Sequence, residues 1–364
     1  MGKDNIVYLA PDIDISKNEW GKAHVLWEAK YLQNYFGNVL VITRNSHNLQ
    51  LWSEFKNVKI LKIPAFLHKP FFRVWLENLF FIFLAVYLRI RWYSKLIERS
   101  YRLWWLFSIV FCLFWWKWIY QLNEPIYYES YIMPLQNLLI KIMWYLNIKF
   151  FGTHESFAYN LPKWKYINWW RGCDLDIIND EKNIKKKYDV IYVWSVAKWH
   201  SLWNVLTVIK NNPEWKFLFI TSWHNNELWE KKKQLNLNNL TILENIENKE
   251  IYSYIYQSKI WLALYEKNSE LLKKFDYCYS PIKVHEYKAC WLPIIASNIW
   301  NLKILAKECW ILVDNSSNWI GKAIRVLLSD HKKYEEYSKK AKIESNEKYN
   351  RTIICLKYFY ILSK

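Results

Sequence analysis

The chain has 364 residues, enough for two domains of ordinary size, and a formal net charge of +18 at pH 7. A charge of this size suits nucleic acid, an anionic membrane surface or an anionic small substrate. The basic residues are spread along the chain without a nucleic-acid-binding motif, which favours a solvated basic surface lying on anionic lipid. The six cysteines have no paired spacing and no histidine partners, which argues against a disulfide framework and against a metal site. No signal-peptide pattern precedes the first apolar run, so we expect a cytoplasmic protein.

The first half of the chain predicts alternating strands and helices, the pattern of a parallel sheet covered on both faces. Strands are predicted at 5–9 and 38–43, with a helix at about 23–35 between them. The region 64–150 is more helical and aromatic, with one short strand that ends at Asn123 and Glu124.

Two apolar stretches in this region need a separate interpretation. They cover residues 78–88 and 103–116. Both are shorter than the ~20 residues of a membrane-spanning helix. We therefore expect buried or interfacial helices here.

The alternation restarts after a charged linker at 179–187. Strands are predicted at 188–193, 215–220, 240–243, 259–264, 293–296 and 311–313, and helices at 202–210, 282–289 and from 321 to the end. The whole pattern predicts two doubly wound, Rossmann-like α/β domains that face a cleft. We place them at 1–175 and 176–347, with a C-terminal helix at about 348–364 packing back on the first. Ligands of such sheets bind at the carboxyl ends of the strands.

Tryptophan and glycine are present in unusual numbers. The chain has 25 Trp and 6 Gly, whereas glycine at about 7% of a globular protein would give roughly 25. The tryptophans also occupy turn positions. Trp291, for example, lies between a predicted helix and a predicted strand, where a helix C-cap favours a residue with positive φ.

We therefore interpret many of these tryptophan positions as glycine, encoded by UGA in an organism that reads this codon as Gly. The suspected positions are Trp20, Trp170, Trp194, Trp223, Trp261, Trp291, Trp300 and Trp310, whereas Trp199 is interpreted as a true tryptophan.

With glycine at these positions, several segments resemble a known family. They are KNEWGKAH, WRGCDLDII, YVWSVAKWHS, FLFITSWHNNEL, YSPIKVHEYKACWLPIIAS and ECWILVD, with the fifth as the most specific. Together they resemble the retaining glycosyltransferases of family 4, which have the GT-B fold. The resemblance implies transfer of a sugar from a nucleotide-sugar donor to a glycan or lipid-linked acceptor, in the synthesis of cell-surface polysaccharide or glycolipid. It implies neither a metal ion nor a cofactor besides the nucleotide-sugar substrate.

The resemblance also implies a donor site. Glu286 corresponds to the glutamate that accepts hydrogen bonds from the ribose hydroxyls, and Lys283 could neutralise a phosphate from the same helical face. Backbone amides at a helix N-terminus and nearby cations suit a diphosphate. The remaining expected donor residues are Ser280 in the signature and Ser195, Lys198 and His200 in the phosphate loop.

On the acceptor side, the resemblance points to three residues. His24 follows the Gly-Gly-like loop, and Asn123 with Glu124 ends a strand where the family places a polar group near the reacting sugar. A packed histidine and solvated loop residues are the alternative interpretations of these positions.

The chain also departs from the family pattern. Cys278 stands where the first of two glutamates is usual, and Ser195 stands where an arginine is usual. These departures leave two alternatives open. One is another GT-B activity, such as an inverting transferase or a sugar-nucleotide epimerase. The other is a catalytically degenerate GT-B protein that acts as a partner subunit or as a peripheral membrane scaffold.

The charge and the aromatic segments suggest where the protein acts. A net charge of +18, with short aromatic segments between 66 and 120, predicts docking of the N-terminal domain on anionic bilayers. We expect a peripheral position at the inner face of the cell membrane, where lipid-linked acceptors would be within reach.

Overall fold

The structure is a computed structural model, and it describes most of the chain. The described residues are 4–15, 20–45, 55–63, 73–99, 117–122, 141–142, 145–146, 148–152, 163–168, 172–173, 175, 184–193, 202–221, 224–265, 282–299, 302–303, 305 and 309–363. At several helix ends, among them 20–23, 73–78 and 282–283, only the backbone is described. The chain divides into two compact units, one of Met1–Trp170 with Arg351–Lys364 and the other of Arg171–Asn350.

The first unit contains a seven-stranded parallel sheet with the order β3-β2-β1-β4-β5-β6-β7. Its strands are β1 (Asn5–Asp14), β2 (Val39–Asn45), β3 (Val58–Lys62), β4 (Tyr93–Arg99), β5 (Lys117–Leu122), β6 (Ile148–Gly152) and β7 (Tyr166–Asn168), and its first two helices are α1 (Trp20–Leu32) and α2 (Arg73–Ile90). Residues 6–10 of β1 are fully buried, as expected for a central strand covered on both faces.

The second unit contains a six-stranded parallel sheet with the order β10-β9-β8-β11-β12-β13. Its strands are β8 (Tyr188–Val193), β9 (Phe217–Thr221), β10 (Leu240–Glu244), β11 (Ser258–Ala263), β12 (Ile294–Ser297) and β13 (Trp310–Val313). Its helices are α3 (Leu202–Asn211), α4 (Asn226–Gln234), α5 (Asn248–Tyr256), α6 (Ile282–Ala289), α7 (Ser317–Ser329) and α8 (His331–Glu347).

The last helix, α9 (Arg351–Ser363), belongs to the first unit. Gln121 of β5 donates from Nε2 to the Tyr358 hydroxyl at 2.6 Å and to the Glu28 carboxylate at 2.8 Å. The Tyr358 ring stacks on Phe151 with 5.3 Å between ring centroids. These contacts join α9 to α1 and to strands β5 and β6.

Each sheet reverses its strand order at one point. In the first sheet the order changes direction between β1 and β4, and in the second between β8 and β11. Ligands of open parallel sheets bind at the carboxyl ends of the strands at such a switch point.

The predicted fold class, two doubly wound α/β units, is confirmed. The predicted strand 188–193 and helix 282–289 match β8 and α6 residue for residue.

The predicted helix at 78–88 is also found, as the central part of α2. Phe81, Leu84, Ala85 and Leu88 are buried, whereas the opposite face of the helix is exposed. No helix among the described residues is long and apolar enough to cross a bilayer. The second apolar stretch, 103–116, lies outside the described residues.

Candidate functional site

Glu286 lies in the middle of α6, which lies along the chain between β11 and β12 of the second sheet. Its side chain is 1% exposed, and the Tyr252 hydroxyl donates to Glu286 Oε1 at 2.9 Å. Burial, together with the Glu286 carboxylate, raises the pKa of Tyr252 well above its ordinary value. The phenol therefore stays protonated and remains a donor. Glu286 is thus a buried, oriented carboxylate, unlike a glutamate on a solvated helix face.

A buried ion pair fixes α6 against α8. Lys288 is fully buried, and its ammonium group donates to the Leu305 carbonyl at 2.6 Å and to the Glu344 carboxylate. One turn earlier, the His285 ring lies 4.4 Å from the ring of Tyr349. A shift of α6 would separate Lys288 from Glu344 and leave a buried charge without its partner, which is costly. These contacts therefore hold the helix in one orientation.

The C-terminus of α6 ends in a Schellman motif. The Trp291 amide bonds to the Lys288 carbonyl at 3.0 Å, and the Leu292 amide bonds to the Tyr287 carbonyl at 3.3 Å. Trp291 occupies the C′ position of this motif with φ 61°, a conformation that favours glycine. The positive φ expected at this position is therefore found.

Positive φ occurs at four residues of the described part of the chain that are not glycine. They are Trp92, Asn236, Asn245 and Trp291. Asparagine enters this region readily, whereas a bulky side chain there is an outlier. Trp92, with φ 62°, is the second residue after the end of α2, as Trp291 is the second residue after the end of α6. Trp92 is not among the positions at which the sequence predicts glycine.

Trp261 of β11 is crowded from the side of α6. It is fully buried, and its indole lies against the ring of Tyr287 closer than van der Waals contact allows. Its Nε1 also makes a short contact to the Leu262 carbonyl oxygen. The space between β11 and α6 is therefore too small for an indole, whereas glycine would let strand and helix approach closely.

The carboxyl ends of β11, β12 and β13 are joined by a buried polar network. The Ser297 hydroxyl accepts from the Tyr265 amide at 2.8 Å, and Asn315 donates from Nδ2 to the Tyr265 carbonyl. Tyr265 is the last described residue before the segment 266–281, which leads to α6. This network therefore ties together the carboxyl ends of three neighbouring strands at the point where the chain continues toward α6. Sequence reasoning missed it, because Ser and Asn after strands are common in loops of every kind.

Polar side chains also meet at the carboxyl ends of β9 and β10. His224 Nδ1 lies 2.8 Å from Glu244 Oε2, and Trp229 Nε1 donates to Glu244 Oε1 at 2.6 Å. No group of three or more His, Cys, Asp or Glu side chains within the described ranges could hold a metal ion.

Most of the other predicted donor residues cannot be placed. Ser195, Lys198, His200 and Ser280 lie outside the described residues, as do Trp170, Trp194, Trp223 and Trp300. The backbone of α6 places Lys283 one turn before Glu286, and the side chain of Lys283 is not described. Strand β8 ends at Val193, so the predicted phosphate loop leaves the sheet at its switch point.

Of the three residues predicted on the acceptor side, the structure describes only His24. His24 lies in the second turn of α1, the helix that follows β1, and is 4% exposed. Asn123 and Glu124 lie outside the described residues, immediately after the end of β5.

Sequence reasoning missed Glu98 of β4. This residue lies near the carboxyl end of β4 and pairs with Leu9 in the middle of β1, between the two strands where the first sheet reverses its order, and it is fully buried. Burial raises the pKa of the Glu98 carboxyl well above its ordinary value. A single charged residue near the end of an apolar strand gave no signal in the sequence, because such residues usually face solvent.

Because of Glu98, we expect the free energy of unfolding to fall as the pH rises. In the unfolded state this carboxyl loses its proton near pH ~4.3, whereas in the native state its raised pKa keeps the proton bound. The free energy of unfolding therefore decreases as the pH increases from ~4.3 toward the native pKa. One such group contributes at most about 1.4 kcal/mol per pH unit. Urea unfolding between mildly acidic and neutral pH should show this slope, and Glu98→Gln should remove it. Glu250→Gln, at an exposed position of α5, is the control, and an identical pH slope in wild type and Glu98→Gln would contradict the expectation.

The chain is similar over its full length to several solved structures, three of which are as follows. A glycosyltransferase from Rickettsia africae matches with a TM-score of 0.74 and 14% identity, over 100% of this chain and 98% of that one. HepE from Anabaena, in complex with UDP and glucose, matches with a TM-score of 0.72 and 11% identity, over 99% of both chains. The α,α-trehalose 6-phosphate synthase of Burkholderia multivorans matches with a TM-score of 0.66 and 11% identity, over 100% of this chain and 97% of that one. No protein-family model and no curated protein matches the sequence.

These similarities define the fold class. Two doubly wound parallel sheets, together with full-length similarity to glycosyltransferase structures, identify the chain as a protein of the GT-B fold.

Proposed function

We propose that the protein is a retaining glycosyltransferase of family 4. It transfers a sugar from a nucleotide-sugar to a glycan or lipid-linked acceptor, in the synthesis of cell-surface polysaccharide or glycolipid. One observation carries the proposal: α6, at the family's donor signature, holds Glu286 buried and oriented by Tyr252 in a unit of the GT-B fold. The similarity to structures that contain UDP with glucose supports a nucleotide-sugar donor.

The reaction requires little covalent chemistry from the protein. The acceptor hydroxyl oxygen bonds to the anomeric carbon while the bond from that carbon to the diphosphate oxygen breaks. The hydroxyl proton passes to the departing diphosphate, which leaves from the same face, so the configuration is retained. In this scheme Glu286 binds the ribose hydroxyls, Lys283 stabilises the developing phosphate charge, and Ser280, Ser195, Lys198 and His200 complete the donor site. His24, Asn123 and Glu124 are assigned to the acceptor side.

We also propose that the natural protein has glycine where UGA has been read as tryptophan. Two independent observations support this: the positive φ of Trp291 and Trp92, and the crowding of Trp261 against Tyr287. Both Trp261 and Trp291 adjoin α6, so glycine at these positions would let the donor helix pack as the family signature requires. The nucleotide sequence tests the proposal directly, because UGG at most of the suspected positions would refute it.

Donor binding and product stereochemistry test the activity. Titration calorimetry with a panel of UDP-, GDP- and ADP-sugars should identify a donor, and NMR of the product should show the anomeric configuration of that donor. An inverted product would indicate a different GT-B transferase. A folded protein that binds none of these donors would instead support the degenerate partner subunit or scaffold.

A further inference from the structure

We propose that α2 is a membrane-docking helix that lies in the interface of an anionic bilayer with one apolar face in the lipid. This inference deepens the proposed function, on which it rests for the lipid-linked acceptor. The docking surface, called the α2 stripe below, consists of Leu79, Phe83, Val86, Tyr87 and Ile90.

The α2 stripe is a continuous apolar face that none of the described residues covers. At 100° per residue its five side chains fall within about a third of the helix circumference, and they extend over ~16 Å of the axis. Phe83 is 72% exposed and Ile90 is 70% exposed. The opposite face packs on the unit's core through Phe81, Leu84 and Leu88, so the helix is apolar on both sides. Exposed apolar surface of this extent marks an interaction site.

The charges around the stripe favour an anionic partner. Arg89 and Arg91 are exposed at its C-terminal end, and the Arg91 guanidinium lies 5.5 Å from the centroid of the Tyr87 ring. Between residues 78 and 97 the sequence has no Asp or Glu. The unit that carries α2 contains 23 Lys and Arg residues against 11 Asp and Glu residues, a difference of 12 out of the total excess of 18. Such a surface repels a second copy of itself and attracts anionic lipid headgroups.

The geometry is that of a helix lying on the bilayer. No helix among the described residues could span a membrane, and α2 ends at arginines that can extend toward headgroups while the apolar side chains enter the acyl region. Docking through α2 would bring the first unit, which carries His24 on α1 and Glu98 at its switch point, to the surface where a lipid-linked sugar is presented.

Vesicle binding of the full-length protein tests the α2 stripe. The wild type should bind vesicles of phosphatidylcholine mixed with phosphatidylglycerol and bind pure phosphatidylcholine weakly, and its binding to the mixed vesicles should weaken progressively as salt is added beyond ~0.15 M. Phe83→Ser/Ile90→Ser should weaken binding about tenfold or more through the lost apolar contact. Arg89→Gln/Arg91→Gln should weaken it about fivefold per arginine.

Matched controls separate docking from general effects. Leu356→Ser/Tyr360→Ser removes two exposed apolar side chains from α9 of the same unit, and Lys332→Gln/Lys339→Gln removes two exposed charges from α8. Both controls should bind the mixed vesicles as the wild type does. Circular dichroism and the urea midpoint check that every variant is folded.

Several results would overturn the inference. They are unchanged vesicle binding by Phe83→Ser/Ile90→Ser, equal binding to neutral vesicles, resistance to carbonate extraction, and a dimer in light scattering that this variant dissociates. Nucleotide-sugar titration on the same samples keeps the two proposals apart. Salt-sensitive vesicle binding without donor binding would support the α2 stripe as a docking surface and refute the proposed function. Donor binding without vesicle binding would support the proposed function and refute the docking surface.

Discussion

Replacing both Trp261 and Trp291 by glycine should stabilise the protein by about 2–5 kcal/mol. At position 291 glycine removes the cost of a side chain in the left-handed region, about 1–2 kcal/mol. At position 261 it relieves overpacking against Tyr287, a cost of typically 1–3 kcal/mol. The measurement is the free energy of unfolding in urea, and the soluble yield should rise with it.

The expected increase in the free energy of unfolding is opposite in sign to the usual effect of removing a buried tryptophan. Removal of a buried tryptophan from a well-packed core normally destabilises a protein by about 3–5 kcal/mol. Trp215→Gly is the matched control, because Trp215 is buried in the same unit, has no positive φ, and packs beside Arg325 and Phe217. Stabilisation at 261 and 291 with destabilisation at 215 is the expected result. Destabilisation at all three positions would mean that the tryptophans are native.

Glu286→Ala, made in the glycine-containing protein, should weaken nucleotide-sugar binding by about 1.5–3 kcal/mol, the range for a hydrogen bond to a charged group. Lys283→Ala should weaken binding of the nucleoside diphosphate more than binding of the nucleoside, because it removes a phosphate contact. Calorimetric titration with the nucleotide-sugar, the diphosphate and the nucleoside measures the three affinities separately.

Two further variants show whether Glu286 binds the donor or only supports the fold. Tyr252→Phe removes the hydroxyl that donates to Glu286 and keeps the packing of the ring, so it should weaken donor binding less than Glu286→Ala does. Lys322→Ala, at an exposed position of α7 in the same unit, should leave all three affinities unchanged. If Glu286→Ala and Lys283→Ala bind as the wild type does, the donor site lies elsewhere.

The class of fold and the positions of many elements were predictable from local pattern. Strand β8 and helix α6 were predicted residue for residue, because β8 is a short run with a buried apolar core next to a charged linker, and α6 ends at a turn that favours glycine. Strand β3 was missed because lysines interrupt its apolar residues, and α4 was missed because Leu228 is its single buried side chain. Tertiary contacts and the Asn225 cap, which accepts from the Leu228 amide, stabilise α4 instead.

The sequence alone led to the proposed family resemblance and to the proposal of glycine at tryptophan positions, because both depend on residue identity and on short spacing. The tertiary structure decided the surroundings of each candidate residue. It buried Glu286 against Tyr252, which is 34 positions away in sequence, placed Glu98 at a switch point, and left the α2 stripe exposed. These features arise where elements distant in the chain pack together, and packing over such distances leaves no periodicity in the sequence.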